Sequence, residues 1–126
     1  AGLFFYNQKT KKEESFVYNR PDHFLAYPSL SDSRQVLWFS SNREGGIGGL
    51  DIWYCVKDQL GWGEPINAGP IINTEKDEAF PFEKSGFLYL TCAHSGSVID
   101  SHTRNASSRY FSNHSGSFFL EEINLL

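Results

Sequence analysis

The chain has no methionine, no excess of basic residues and no long apolar run. Because its 126 residues lack an initiator methionine, we expect a processed product or an internal piece of something longer. Its 11 Lys and Arg against 15 Asp and Glu give a net charge of −4, which is not the basic footprint of a nucleic-acid-binding protein. No stretch reaches the roughly 18–20 apolar residues that a membrane-spanning helix requires. We therefore predict neither a nucleic-acid partner nor a membrane span for this fragment.

Cysteine is also scarce, with only Cys55 and Cys92 in the chain. There is no Cys-x-x-Cys pair and no neighbouring His pair, so their spacing does not predict a metal site. Two alternatives remain open: one disulfide in an oxidising compartment, or two buried thiols. The second is favoured because free cysteine is among the most buried residue types.

Aromatic residues are plentiful, at 16% of the chain, and can build a core. No window shows apolar residues at helical spacing, and the charged stretch 9–14 has the composition of a solvated loop. Short runs of β-branched and aromatic residues, bounded by Gly, Pro, Asn, Asp or Ser, occur at 15–18, 36–41, 51–56 and 87–92. This pattern predicts an all-β, antiparallel fold.

Two segments repeat one pattern: an aromatic residue and a proline, a polar turn, then a leucine followed by an aromatic residue. Tyr27-Pro28 precedes Leu37-Trp38, and Phe80-Pro81 precedes Leu88-Tyr89, with the prolines 53 positions apart and the leucines 51. Each copy is typical of a β-hairpin with the proline near the start of its first strand. A period near 50 with several strands fits the blade of a β-propeller. We expect each leucine-aromatic strand to lie in the middle of its own antiparallel sheet.

Between the two copies lies a glycine loop, at positions 45–50. Four of its residues are glycines: Gly45, Gly46, Gly48 and Gly49. It lacks the spacing of a dinucleotide- or phosphate-binding loop and no helix follows it, so a tight connection between strands is favoured. Such a loop leaves backbone amides without ladder partners, and Asp51 is placed to accept hydrogen bonds from them. We predict a structural role for the glycine loop and for Asp51.

Other residues that carry chemistry form no recognisable catalytic or metal-binding pattern. His94, His102 and His114 have no Cys or carboxylate at a metal-ligand offset. There is no Gly-x-Ser-x-Gly element to mark a serine nucleophile. The acidic pairs Asp77-Glu78 and Glu121-Glu122 are sequence neighbours, so their side chains point to opposite faces of a strand. We therefore expect no enzyme activity, no metal and no cofactor.

The three tryptophans are the remaining candidates for ligand contact. Trp38 and Trp53 lie inside predicted strands and are expected in the core, because a Trp side chain buries a large area. Trp62 lies between Gly61 and Gly63 in a turn and is the candidate for an exposed contact, such as stacking on a sugar.

Several of these motifs occur together in one known family. Residues 39–53 (Phe-Ser-Ser-Asn-Arg-Glu-Gly-Gly-Ile-Gly-Gly-Leu-Asp-Ile-Trp), Trp62-Gly-Glu-Pro65, Ile71-Ile-Asn-Thr74 and Asp77-Glu-Ala-Phe-Pro81 resemble the PD40 family of WD40-like, or TolB-like, β-propeller repeats. The similarity is greatest to repeats of Bacteroidetes envelope proteins, which are often joined to an OmpA-like peptidoglycan-binding domain. The sequence departs from the family in two places. Ser33-Arg34 stands where the turn usually carries Asp-Gly, and the second copy lacks a Gly-Gly-x-Gly-Gly stretch after Cys92, with only Gly96 and Asp100 in positions 95–100.

The resemblance implies about two PD40-type blades of an incomplete β-propeller, at 22–92. Residues 1–21 are then the end of a preceding blade or a linker, and 93–126 a divergent blade or a Ser-rich tail. It also implies non-catalytic protein binding or scaffolding in the bacterial cell envelope, in the periplasm or at the outer membrane. The chain would be part of a larger OmpA-like or secretion-associated protein. The expected partners are envelope or secretion proteins, with peptidoglycan reached only through a neighbouring domain.

Two other functions stay open: the non-catalytic propeller domain of a peptidase or glycan-active enzyme, and a carbohydrate-binding module. A hydrolase domain beside the repeats would indicate the first. A cluster of exposed aromatic residues around Trp62 would indicate the second.

Overall fold

The structure, a computed structural model, describes residues 2–94, 106–113 and 116–124. Within this part of the chain all helix and strand elements are β-strands, which confirms the all-β prediction. They are β1 (Phe4–Asn7), β2 (Lys12–Ser15), β3 (Leu25–Leu30), β4 (Val36–Ser41), β5 (Asp51–Asp58), β6 (Gly61–Trp62), β7 (Ile66–Asn67), β8 (Glu78–Lys84), β9 (Phe87–His94), β10 (Ala106–Asn113) and β11 (Gly116–Asn124). A search of the described residues finds no helix that is long and apolar enough to cross a membrane.

The strands form three successive units along the chain. β1 and β2 pair as an antiparallel hairpin, which we call the N-terminal hairpin. The first sheet has the order β3-β4-β5-β6, and the short β7 also pairs with β5. The second sheet has the order β8-β9-β11-β10. An up-and-down sheet would place β10 beside β9, so the outer strands of the second sheet depart from sequential order.

The hairpins β3–β4 and β8–β9 repeat one another. The register shifts at Tyr27-Pro28 in the first and at Phe80-Pro81 in the second. In both, the aromatic residue before the proline has a left-handed backbone, with φ 56° at Tyr27 and φ 55° at Phe80. This conformation costs a non-glycine residue roughly 1–2 kcal/mol, so its presence at both positions marks one repeated structure. β4 lies between β3 and β5, and β9 between β8 and β11, as predicted for the two leucine-aromatic strands.

Side chains alternate along the central strands of the first sheet and so point to both of its faces. Both faces are buried. One face packs on the N-terminal hairpin in a cluster of Leu3, Phe16, Leu25, Leu37, Phe39, Trp53 and Cys55. The other face packs on the second sheet in a cluster of Trp38, Ile52, Ile72, Leu88 and Leu90. The first sheet is therefore the middle layer of three, and the prediction that Trp38 and Trp53 belong to the core is confirmed.

The N-terminal hairpin corrects two local predictions. The stretch 9–14, expected as a loop, contains most of β2, and the strand expected at 15–18 begins where β2 ends. Every residue of β2 is exposed, so the strand has no apolar alternation for a sequence pattern to reveal. Phe16, just beyond it, is buried and contacts Phe39 edge-on, with 5.9 Å between ring centroids.

Residues 93–126 are described only in part. The segments 106–113 and 116–124 form β10 and β11, which extend the second sheet beyond β9. The stretch with Gly96 and Asp100, as well as His102 and His114, lies outside the described residues.

Candidate functional site

The carboxylate of Asp51, the first residue of β5, fixes the glycine loop. Its Oδ2 accepts a hydrogen bond from the Ile47 amide, and its Oδ1 accepts one from the Gly48 amide at 3.0 Å. Asp51 is buried, and Gly45 in the loop has φ +89°, a conformation that favours glycine. The hydrogen bonds predicted for Asp51 from the sequence are therefore present.

Two asparagines extend this network away from the loop. Asn67 Nδ2 donates to Asp51 Oδ2 at 2.9 Å, and Asn73 Nδ2 donates to Asn67 Oδ1 at 3.0 Å. The buried Asn73 also binds the backbone of Ile52, whose N–H donates to Asn73 Oδ1 at 2.7 Å and whose carbonyl accepts from Asn73 Nδ2 at 2.9 Å. Asn73 thus takes the place of a strand partner beside Ile52. Sequence reasoning missed both asparagines, because a side chain that replaces a strand leaves no periodic signal.

The glycine loop also contacts the chain segment that leads into the second sheet. The Leu50 amide donates to Asp77 Oδ1 at 2.7 Å. A Cβ on Gly48 would overlap the backbone carbonyl oxygens of Thr74 and Lys76, so this close approach requires glycine. The loop therefore connects the two sheets at one end of the molecule.

Glu78 is a buried carboxylate at the first position of β8. The hydroxyl of Thr74 and the thiol of Cys92 both donate to its Oε1, the thiol at 3.1 Å. In the repeat, Glu78 takes the place of Leu25, because each is the first residue of its hairpin. Asp77 beside it precedes β8 and is exposed, whereas Glu78 is withdrawn from solvent.

These contacts make the glycine-loop end of the molecule a closed polar clamp. Both oxygens of Asp51 accept hydrogen bonds, and the carboxylate is withdrawn from solvent. Together with the Leu50–Asp77 hydrogen bond and the close approach of Gly48 to residues 74–76, this arrangement can hold the two sheets in register.

Cys55 and Cys92 are both buried and are not joined in a disulfide, in agreement with the buried-thiol alternative. Cys55 lies in the cluster against the N-terminal hairpin, whereas Cys92 lies beside Glu78. Burial raises the pKa of the Cys55 thiol to about 12, and the positive charge of Arg43 partly opposes this rise.

Trp62, the expected exposed contact, is half-buried. Its ring stacks on Phe5 with 6.0 Å between centroids and 11° between planes, and Lys57 Nζ lies 5.6 Å from its centroid. The Tyr18 hydroxyl donates to its backbone carbonyl at 3.2 Å. Trp62 is therefore only partly accessible, because the N-terminal hairpin, whose strand β1 carries Phe5, packs over the indole ring.

Beside Trp62 lies a groove of about 820 Å³ between the N-terminal hairpin and the first sheet; we call it the hairpin groove. Phe5, Tyr18 and Trp62 contribute half-buried aromatic side chains to its lining. Exposed aliphatic side chains lie along it at Val17 and Leu60, which are 73% and 98% exposed. The groove thus combines a fixed aromatic wall with apolar groups that remain in water.

Positive charge predominates in the hairpin groove. Its charged lining residues are Lys12, Arg34 and Lys57 against a single carboxylate, Glu14. All four side chains are exposed. The three positive charges outnumber the one negative charge at the mouth of the groove, so the groove favours an anion. No local sequence pattern predicts this site, because its cations Lys12, Arg34 and Lys57 come from three separate turns and strands.

Within the described residues, no group of three His, Cys, Asp or Glu side chains is placed to hold a metal ion. The histidines singled out from the sequence do not bear on this, because the side chain of His94 and all of His102 and His114 lie outside what the structure describes.

Comparison with known proteins finds no matching family model, no matching curated protein and no matching solved structure.

Proposed function

We propose that the chain is a non-catalytic repeat module of the β-propeller type that binds a protein partner in the bacterial cell envelope. One observation carries the proposal: two successive sheets begin with the same irregular hairpin and stack through their faces. The shared register shift and the left-handed Tyr27 and Phe80 support a repeated structural unit rather than two unrelated sheets. Units that stack in this way expose loops and grooves at their ends, and proteins of this architecture use them for binding.

The envelope location and the membership of a larger OmpA-like or secretion-associated protein rest on the PD40 resemblance of residues 22–92. The clamp around Asp51 supports the same proposal, because the glycine loop and Asp51 belong to the segment that carries the resemblance. Its buried carboxylate holds the glycine loop, which contacts the segment leading into the second sheet.

The carbohydrate-binding alternative has less support. Sugar binding by stacking needs an accessible aromatic face. The ring of Trp62 already stacks on Phe5 and has the Lys57 ammonium group nearby. Protein binding therefore remains the better proposal for the exposed apolar and charged surfaces.

Site-specific photo-crosslinking in cells that produce the protein tests this function. A photoreactive residue would replace Tyr6 in the hairpin groove, and in a matched variant Phe80 on the second sheet; both side chains are exposed. We expect a discrete crosslinked protein from at least one position, recovered in the envelope fraction. Crosslinks to glycan alone, or recovery of the protein and its partner in the cytoplasm, would contradict the proposal.

A further inference from the structure

The hairpin groove contains a cation whose backbone conformation is unfavourable for its residue type. Arg34 has φ 61°, in the left-handed region, and its amide donates to the Ser31 carbonyl at 2.9 Å to close the turn before β4. Glycine adopts this conformation freely, whereas it costs a residue with a side chain roughly 1–2 kcal/mol. An arginine at this position therefore does not stabilise the turn.

The side chain of Arg34 also makes no polar contact with the described part of the chain. Within the described residues its guanidinium makes no hydrogen bond and no ion pair, although it lines the groove. Lys12 lines the same groove and likewise has no carboxylate within ion-pair distance among these residues. Two exposed cations without internal partners, in a groove with one carboxylate, are complementary to an external anion.

The apolar lining indicates the kind of anion. Val17, Leu30 and Leu60 expose aliphatic side chains along the groove, at 73%, 40% and 98%. Branched aliphatic groups complement the side chains of a peptide. Of the aromatic residues that line the groove, Tyr6 alone is exposed, and the Trp62 ring is stacked on Phe5. A volume of about 820 Å³ in an open groove accommodates several residues of extended chain.

We propose that the hairpin groove binds an extended acidic peptide segment with apolar side chains, and that Arg34 contacts its carboxylates. This proposal rests on the protein-binding function proposed above and names the site and the chemistry of the partner. Arginine suits the role because its guanidinium pairs with a carboxylate through two parallel hydrogen bonds.

Selection from a phage-displayed library of random peptides on the immobilised chain tests the proposal. We expect enriched peptides that combine Asp or Glu with aliphatic residues. Their affinity should fall with rising salt and should fall at least tenfold when the acidic residues are replaced by Asn or Gln. Enrichment of basic or uncharged peptides, or no enrichment, would overturn the proposal.

Two glycine variants then separate binding from folding. In Arg34→Gly the turn keeps its backbone conformation, so the melting temperature should be unchanged or higher, while affinity for the selected peptide falls at least tenfold. Lys11→Gly is the matched control, because Lys11 also has a left-handed backbone, at φ 58°, in the turn of the N-terminal hairpin. It lies outside the groove lining, so this variant should bind like the wild type.

Equal affinity of Arg34→Gly and wild type would exclude Arg34 as the anion contact. Tighter binding of an acidic oligosaccharide, such as oligogalacturonate, than of every selected peptide would overturn the peptide proposal and identify a glycan as the ligand. If the hairpin groove binds no peptide, the crosslink at position 80 still tests whether the chain binds a protein. The peptide-site proposal and the protein-binding proposal can therefore be rejected independently.

Discussion

At the scale of single residues, Asp51 shows how one carboxylate determines the conformation of a loop. Its oxygens accept from the Ile47 and Gly48 amides and from the side chain of Asn67. These hydrogen bonds are partly buried and have a charged acceptor, and a hydrogen bond to a charged group contributes about 1.5–3 kcal/mol. The glycine loop is consequently as dependent on Asp51 as on its glycines.

We predict that Asp51→Ala lowers the free energy of unfolding by about 2–4 kcal/mol, because three donors lose their acceptor. Asp51→Asn should cost roughly half as much, since one amide oxygen still accepts while the amide nitrogen cannot. Glu44→Ala, an exposed change beside the loop, is the control and should change stability little. Urea unfolding followed by tryptophan fluorescence measures all three. Wild-type stability of Asp51→Ala, together with loss of partner binding, would make Asp51 a functional residue instead.

Cys55 gives a second prediction at this scale. Its folded-state pKa of about 12 lies above the ordinary 9.0, mainly because burial disfavours the thiolate. The neutral thiol therefore contributes stability that is complete below about pH 9 and is lost as the pH rises toward 12. At about pH 8 the folded protein should resist iodoacetamide at Cys55, and urea-unfolded protein should react fully. Rapid labelling of Cys55 in the folded protein, read by peptide mass spectrometry, would contradict its buried position.

At the scale of structural elements, those that depend on one short segment could be predicted from the sequence, whereas those that depend on distant segments could not. The two repeated hairpins could be predicted because proline, turn and alternating side chains lie within one short segment. β6 and β7 could not, since each has only two residues and pairs through the edge of β5. The order of the second sheet depends on the pairing of β9 with the distant β11, and no local pattern encodes this pairing. The hairpin groove likewise exists only where distant turns meet, although the unusual Ser33-Arg34 turn was visible in the sequence.

The contact between the two sheets includes one directed hydrogen bond. Trp38 Nε1, on the first sheet, donates to Glu83 Oε2, on β8 of the second, at 2.6 Å. Trp38 is buried and Glu83 is half-buried, so the bond is partly shielded from water. It helps to select which part of β8 packs on β4.

We predict that a double-mutant cycle with Trp38→Phe and Glu83→Ala gives a coupling of about 1 kcal/mol, because the bond has one charged partner but is partly solvated. A parallel cycle with Trp38→Phe and the exposed Glu75→Ala should give a coupling near zero. Unfolding free energies of the single and double variants supply the measurement. Equal coupling in both cycles would show that the indole–carboxylate bond does not contribute to sheet packing.

At the scale of the whole molecule, the three layers are covered unequally. Among the described residues, the first sheet packs against a neighbour on each face, whereas the second sheet packs against the first sheet on one face. Leu88 and Leu90 face the first sheet, so Tyr89 between them faces away from it. Tyr89 takes the place in the repeat of Trp38, which the second sheet buries. The outer face of the second sheet thus corresponds to the face of the first sheet that carries Trp38, which the second sheet covers.

We predict that the chain self-associates through this outer face, because stacked sheets leave a terminal apolar surface unless a further unit covers it. Phe82 lies opposite Tyr89 on this face and is 50% exposed. Phe82→Lys should therefore reduce association without unfolding the protein. Ile71→Lys introduces the same charge at a residue that is 56% exposed but lies in a loop, and it should leave association unchanged. Sedimentation velocity over a range of concentrations distinguishes these outcomes. A monodisperse, cooperatively unfolding wild-type monomer at every concentration would show that the outer face needs no further unit.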